Sequence, residues 1–361
     1  MKVGFPHVGT FYVLFESYLH ALEAKPVVPP FSSQRTLDLG VRYSPEMICA
    51  PCKLIFGNYV EALEQGADHL IMLGGNDTCR LGYSVPLQVH LLRKLGYDFQ
   101  PHVFDLRQAI RDVLRLTDEL AHPPLSQKIT LLRYLVALVT LVDDVERATL
   151  RLRPKELKPG TATRLRRVAL TRICGLQTRH DLHRCRRAVL QPFADAPQDR
   201  TRRVLRIALI GDPYTISEPF FNLNLEEHLG RLGVEVHRWF WLSNSLRGTW
   251  PLRLMGLDLK ARARRRAAAA YLSRYVGGFA QSSFTEAVRF AQDGIDGMIH
   301  VAPFNCTPEI VAASLMPRLA QDYDIPLLML TFDEQTGEAG LVTRLEAFVD
   351  LLERRREREV A

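Results

Sequence analysis

The chain lacks an uninterrupted membrane-spanning run. Its longest uncharged apolar stretch, Tyr134 to Val142, is about half of the roughly 20 residues a bilayer helix needs. No secretory leader is expected in its first residues, because Gly4, Pro6, Gly9, Glu16 and His20 break the short apolar patch after Lys2 and no small-residue cleavage site follows. With 22 Gly and 21 Pro in 361 residues it has too little of either for a disordered or collagen-like polymer. Six cysteines are too few for a disulfide-dense scaffold. In the cytoplasmic protein these absences lead us to expect, the cysteines are read as reduced thiols or metal ligands. The phosphate-binding and catalytic signatures G-x-x-x-x-G-K-S/T, G-x-G-x-x-G, H-E-x-x-H and G-x-S-x-G are missing too. Any nucleotide hydrolysis connected with this protein therefore falls to a partner chain.

At about 150 residues per domain, the length predicts two or three domains with cores of their own. Residues 1–107 alternate short apolar runs with amphipathic ones: Lys2 to Phe5, a helical run to Glu23, Pro26 to Val28, a helix at 53–65, a strand at 69–73, a helix at 85–95 and a strand at 103–106. This is the pattern of a parallel sheet with helices on both faces. From 108 to 203 the strand pattern gives way to helical spacing, with a Pro-containing linker at 191–203. From 204 to 361 the alternation returns, with strands at 205–210, 234–241, 297–301 and 327–332 and helices at 216–232, 260–275, 285–292 and 340–355. The expected fold is α/β: two Rossmann-like parallel-sheet lobes with a helical basic insert between them. Each half opens on an apolar strand and a polar turn, 7–10 and 211–215, which suggests a duplication.

The net charge of +7 is unevenly placed. Residues 147–206 hold seventeen Lys or Arg against four acids, a net +13, so the rest of the chain carries −6. Such a block steers anionic partners or forms solvated helix faces. Few aromatic residues there could stack on bases, which argues against nucleic acid as the partner.

In open parallel sheets ligands gather outside the carboxyl ends of the strands. Cys79 follows the strand at 69–73, and Cys306 follows the strand at 297–301 in the other lobe. Cys49 stands just before a helix, where unpaired N–H groups and the helix dipole favour thiolate. If the lobes face each other the three thiolates can converge, and soft donors of this kind hold zinc or iron–sulfur clusters. Cys52 completes Cys49-Ala50-Pro51-Cys52 and is either a fourth ligand or half of a redox pair. Small buried hydrophobes are the competing reading of each cysteine. Cys174 and Cys185 flank His180 and His183 without the spacing of a zinc finger and are read as structural. Glu218, Asp333 and Glu334 open loops at strand ends and are candidate proton-transfer groups, with helix capping and dipole pairing as alternatives; Glu338 is read as a cap.

Val27-Val28-Pro29-Pro30, 36–40, Ser44-Pro45-Glu46 with Cys49 and Lys53, Gly74-Gly75 with 79–83, Glu218-Pro219-Phe220, 233–238, 303–311, and 333–340 with 344–350 resemble the CoA protein activase family. That family is related to the 2-hydroxyacyl-CoA dehydratase and benzoyl-CoA reductase subunits. The resemblance implies an iron–sulfur cluster of the 4Fe–4S type held by Cys49, Cys79 and Cys306, with Cys52 an addition to the family pattern. It further implies an oligomer fed electrons by an ATP-hydrolysing activator, and low-potential electron transfer to an acyl-CoA-type substrate. Two departures weaken the implied reaction. Gly277-Gly278-Phe279-Ala280-Gln281 stands where the family has Gly-Gly-His-Gly, and Asn76-Asp77-Thr78 replaces a Gly-Pro type of loop. The alternatives are a non-enzymatic iron–sulfur redox partner or scaffold, and a zinc or thiol protein with a nucleic-acid-binding basic insert.

Overall fold

The computed structural model describes residues 1–75, 79–247 and 259–360. Its elements run β1 (Lys2–Gly4), α1 (Phe11–Ala21), β2 (Lys25–Val27), α2 (Gln34–Tyr43), α3 (Ala50–Glu64), β3 (His69–Leu73), α4 (Val85–Lys94) and β4 (Gln100–Phe104). Helices α5 (Ala109–Ala121), α6 (Leu125–Leu152), α7 (Thr161–Cys174) and α8 (Arg179–Asp195) follow. Then come β5 (Leu205–Gly211), α9 (Pro213–Ser217), α10 (Leu225–Arg231), β6 (Val234–Arg238), α11 (Leu242–Arg247), α12 (Leu259–Ala269), α13 (Ala280–Gln292), β7 (Gly297–Pro303), α14 (Thr307–Asp322), β8 (Leu327–Phe332) and α15 (Glu338–Val360).

The architecture is α/β with two four-stranded, all-parallel sheets, ordered β2-β1-β3-β4 and β6-β5-β7-β8. The two orders are the same order, which is what two Rossmann-like lobes of one design give. Parallel strands covered on both faces read as continuous apolar runs, and β7 is buried at all seven of its positions. The chain separates into two compact units: Met1–Asp144, Ala169–Val189 and Leu242–Met255 form one, and Val145–Val168, Leu190–Trp241 and Gly256–Ala361 the other. The helical stretch 108–203 contributes to both.

Several elements differ from the periodicity reading. Helix α2 was not anticipated because its sequence is polar; it starts on a capping box in which Ser33 and Thr36 satisfy each other's backbone N–H groups. The helix expected over 216–232 is two short helices, interrupted where Leu223 and Asn224 adopt positive φ of 56° and 55°. The linker expected from 191 begins as helix, with Pro192 inside α8. The strand expected over 234–241 stops at Arg238, and the basic helix expected over 260–275 ends at Ala269.

Among the described residues one helical stretch, Leu125–Lys155, is long and apolar enough by length and composition to cross a membrane, although Arg133 interrupts its apolar run. Its inner stripe includes Leu135, Leu138 and Val142, spaced three and four apart and buried, the periodicity of a helix with one face in a protein core. Polar ties secure that face. The Tyr134 hydroxyl donates to the Leu176 carbonyl at 2.6 Å, and Asp143 accepts the Ser243 N–H at 2.8 Å.

Candidate functional site

In the first unit, α3 is the element that places Cys49 and Cys52. Every residue from Ala50 to Leu63 is buried, so the helix is a core element enclosed all round. Its close fit to α2 depends on two glycines. A Cβ at Gly40 would come within 2.0 Å of the Lys53 carbonyl oxygen, and one at Gly57 within 2.0 Å of the Thr36 carbonyl oxygen. The hydroxyl of Tyr59 accepts the Leu73 N–H at 2.8 Å, fixing the end of β3 to α3.

Cys49 is the N-cap of α3 in extended conformation, with Pro51 in the first turn; its side chain does not cap the helix. Proline is tolerated there because the first-turn N–H groups have no helical acceptor. The Cys49 Sγ donates to Cys52 Sγ at 3.6 Å. The Cys52 thiol is pushed well up from its ordinary range, first by that hydrogen bond from Cys49, then by burial, then by the charge of Cys49 and of Cys79. Cys79 therefore lies within electrostatic reach of Cys52. Its turn is stitched to the Cys49 segment: the Arg80 guanidinium donates to the Met47 carbonyl at 2.5 Å, and the Tyr83 N–H donates to the Cys79 carbonyl at 3.1 Å. Lys53 Nζ reaches back to the Glu46 carbonyl at 2.8 Å. The stretch Asn76 to Thr78, one of the two departures from the family pattern, lies outside the described residues.

In the second unit Cys306 repeats the local design of Cys49. It is an N-cap that does not cap with its side chain, and Pro308 sits in the first turn of α14. The chain thus uses Cys-x-Pro at a helix start twice, once before a strand and once after one. Asn305, in left-handed conformation at φ 62°, turns the chain out of β7. His300 Nε2 and Glu309 Oε2 meet at 2.9 Å, each side chain 2% exposed, and this buried pair pins the first turn of α14 to β7.

The sheet order reverses direction between β5 and β7, the crevice where doubly wound folds bind ligands. Backbone there approaches too closely for a side chain: Gly211 has φ 115°, and a Cβ on it would lie 1.9 Å from the Val301 carbonyl oxygen. Asp212 follows directly, accepting the Thr215 N–H at 2.8 Å and its hydroxyl at 2.9 Å. Burial, with the charge of Glu309 adding, pushes its carboxyl up to about 6 and outweighs those hydrogen bonds. A raised carboxyl pKa means that the folded state disfavours the charged form. The penalty is absent below the unfolded value of 3.8 and fully developed above about 6, so it weakens the fold as pH rises through that window. Asp212→Asn keeps a capping oxygen and removes the charge. It should raise unfolding free energy at pH 7.5 by at most about 3 kcal/mol, an upper limit because Asp212 keeps some exposure. Urea denaturation at pH 7.5 and pH 3.5 checks this: the gain should vanish at the lower pH.

The remaining expected residues are placed individually. Glu218 is buried and accepts the Phe220 N–H at 3.3 Å, a local turn. Asp333 accepts the Gln335 N–H at 3.0 Å and the Thr336 hydroxyl at 2.7 Å, closing its own loop. Glu334 is partly exposed in the same loop. Glu338 opens α15 and meets His228 at 3.0 Å. Cys174 donates to Glu16 at 2.8 Å, and burial followed by that carboxylate pushes its thiol up to about 12. Cys185 is partly exposed on α8. The sequence assigned no role to Asp212, His300 or Glu309, although Asp212 stands in the polar turn at 211–215 and Glu309 in the stretch 303–311.

Most of the positive charge at 147–206 is exposed, but a few of its arginines turn inward. Glu146 receives Arg166 and, at 3.1 Å, Arg238, whose guanidinium also forks onto both oxygens of Glu226. Arg153 is buried as well. Trp241 is covered by the guanidiniums of Arg147 at 4.2 Å and Arg238 at 5.5 Å. Burial pushes the Glu146 carboxyl up, but Arg166 and Arg238 outweigh it and hold it below the ordinary range.

Among the described residues, no group of three or more His, Cys, Asp and Glu side chains is gathered tightly enough for one metal ion. Thiolates of an iron–sulfur cluster bind different irons and are spaced more widely than donors sharing one ion. The donor type therefore remains suited to a cluster. No protein-family model matches the chain, and no match is found among curated proteins.

Proposed function

We propose that the chain is an iron–sulfur protein of the 2-hydroxyacyl-CoA dehydratase and activase type. In this reading it takes part in ATP-driven, low-potential electron transfer to an acyl-CoA-type substrate. The observation that carries the reading is the placement of the cysteines. Cys79 and Cys306 follow β3 and β7, the strands that occupy the same position in the two sheets, and Cys49 and Cys306 share the N-cap Cys-x-Pro design. Cys79 and Cys306 thereby stand at the strand ends where open parallel sheets bind ligands.

The proposed donors are Cys49, Cys79 and Cys306. Once bound, the cluster supplies one-electron chemistry and, with three protein ligands, one iron open to a substrate oxygen. The chain's own part is to hold two of the three donors, Cys49 and Cys306, at helix starts whose unpaired N–H groups stabilise negative charge, and Cys79 in the turn after β3. The buried His300–Glu309 pair keeps the Cys306 helix in register with β7. Cys52 is no donor in this reading. Two thiolates on one tetrahedral ion lie about 3.8 Å apart when each metal–sulfur bond is about 2.3 Å, so sulfurs 3.6 Å apart are too close to serve separate irons.

Turnover is the test. The full chain, purified without oxygen, should consume a 2-hydroxyacyl-CoA or an aromatic acyl-CoA when given a strong one-electron reductant or an ATP-hydrolysing activator. A chain that holds iron and sulfide but turns over neither substrate would be the redox partner instead, as the departure at 277–281 would favour.

A further inference from the structure

We propose that Cys49 and Cys52 form a redox-active dithiol that closes to an intramolecular disulfide on reaction with low-molecular-weight disulfides. The geometry is already close to that state. The sulfurs are 3.6 Å apart, and closure brings them to about 2.05 Å. Residues three apart across a first helical turn have Cα atoms about 5 Å apart by helix geometry, inside the 4.4–6.8 Å window a disulfide requires. Helix α3 need not move, because Cys49 is its N-cap, with backbone outside the helical region.

The two sulfurs have different roles. Cys52 is inside α3 and 1% exposed, whereas Cys49 is the first buried residue after the exposed segment Pro45 to Met47. An incoming disulfide therefore meets Cys49 first. The Cys49 thiolate attacks one sulfur, the S–S bond of the small molecule breaks, and one thiolate leaves. Cys52 then gives its proton to solvent and attacks Cys49 Sγ, expelling the second thiolate. The protein loses two hydrogens as protons, and two electrons pass to the small disulfide, which departs as two thiols.

This inference stands without iron, but it bears on the iron-bound state. A sulfur engaged in a disulfide cannot act as a thiolate ligand, so the oxidised chain cannot use Cys49 as a donor until the bond is reduced. Cys52 then has the role that its spacing denies it as a ligand: it removes Cys49 reversibly from service.

The test uses the full-length chain, freed of metal by an anaerobic chelator and exposed to glutathione disulfide at increasing ratios to glutathione. Trypsin cuts after Arg42 and Lys53, so the peptide Tyr43 to Lys53 carries both cysteines and no other. It should become two hydrogens lighter, and the denatured thiol count should fall from the six of the reduced chain to four. Dithiothreitol should restore both. Cys79→Ser should leave closure intact, and Cys52→Ser, or Cys52→Ala should the serine form not fold, should trap glutathione on Cys49. A Tyr43 to Lys53 peptide of unchanged mass in excess glutathione disulfide would overturn the proposal, as would a bond mapped to Cys79. Neither result depends on whether the chain binds iron.

Discussion

Cys49→Ser, Cys79→Ser and Cys306→Ser should each lower the iron retained by the anaerobically purified chain at least tenfold, whereas Cys174→Ser and Cys185→Ser retain it. Serine preserves the size of the side chain and removes the soft donor, so the change tests coordination with little effect on packing. The controls are chosen on geometry. Cys174 gives its hydrogen to Glu16 at 2.8 Å, with its thiol pushed up to about 12, and a thiol held so firmly protonated is a poor ligand. Cys185 lies within α8, with no strand next to it in the chain. Cys52→Ser belongs with the controls in iron content, although it abolishes the disulfide. Absorbance near the sulfide-to-iron charge-transfer region and colorimetric iron read all six variants. Full iron in the Cys306 variant would remove the second lobe's sulfur from the donor set.

Glu146→Ala should cost less than the roughly 3–5 kcal/mol of a fully buried broken ion pair but more than about 1 kcal/mol of unfolding free energy, because it removes the enclosed carboxylate that neutralises two half-buried guanidiniums. Glu146 is almost fully enclosed, with Arg166 on one oxygen and Arg238 on the other. Arg238 keeps Glu226 as a partner, which sets the loss below that of a wholly isolated charge. The pH dependence has the opposite sign to that of Asp212. A carboxyl held below its ordinary range stabilises the fold above the unfolded value of 4.5 and loses that contribution as pH falls through its lowered folded value. The difference between wild type and variant should therefore be full at pH 7 and shrink in acid. Chemical denaturation at pH 7 and pH 4 measures both. A loss under 1 kcal/mol at pH 7 would show that the enclosed arginines find water or other acceptors.

The sheets were legible because parallel strands buried on both faces leave unbroken apolar runs: Leu205 to Gly211, Gly297 to Pro303 and His69 to Leu73 each announce themselves. The cysteine loops followed from those strands. Helix α2 was hidden because its stability rests on the Ser33 cap and the Gly40 approach to α3, neither of which produces an apolar stripe. The break in 216–232 was hidden because its only cue is Asn224, a residue type that tolerates left-handed backbone, while Leu223 beside it takes a positive φ that leucine does not advertise. A charge count saw the arginines of the helical stretch but could not tell which of them turn inward, since Glu146 and Glu226 are brought to them by distant parts of the chain. His300 and Glu309 meet only because a strand and the next helix are folded against each other. Alone, His300 looks like part of an apolar run.

Paired iron and acid-labile sulfide determination on the wild-type chain, expressed and purified without oxygen, tests the central claim most directly. The account predicts the two elements in equal amounts, about four of each per chain for a 4Fe–4S cluster, with a brown protein that bleaches in air. Zinc without sulfide, in a colourless protein that air does not change, would contradict it.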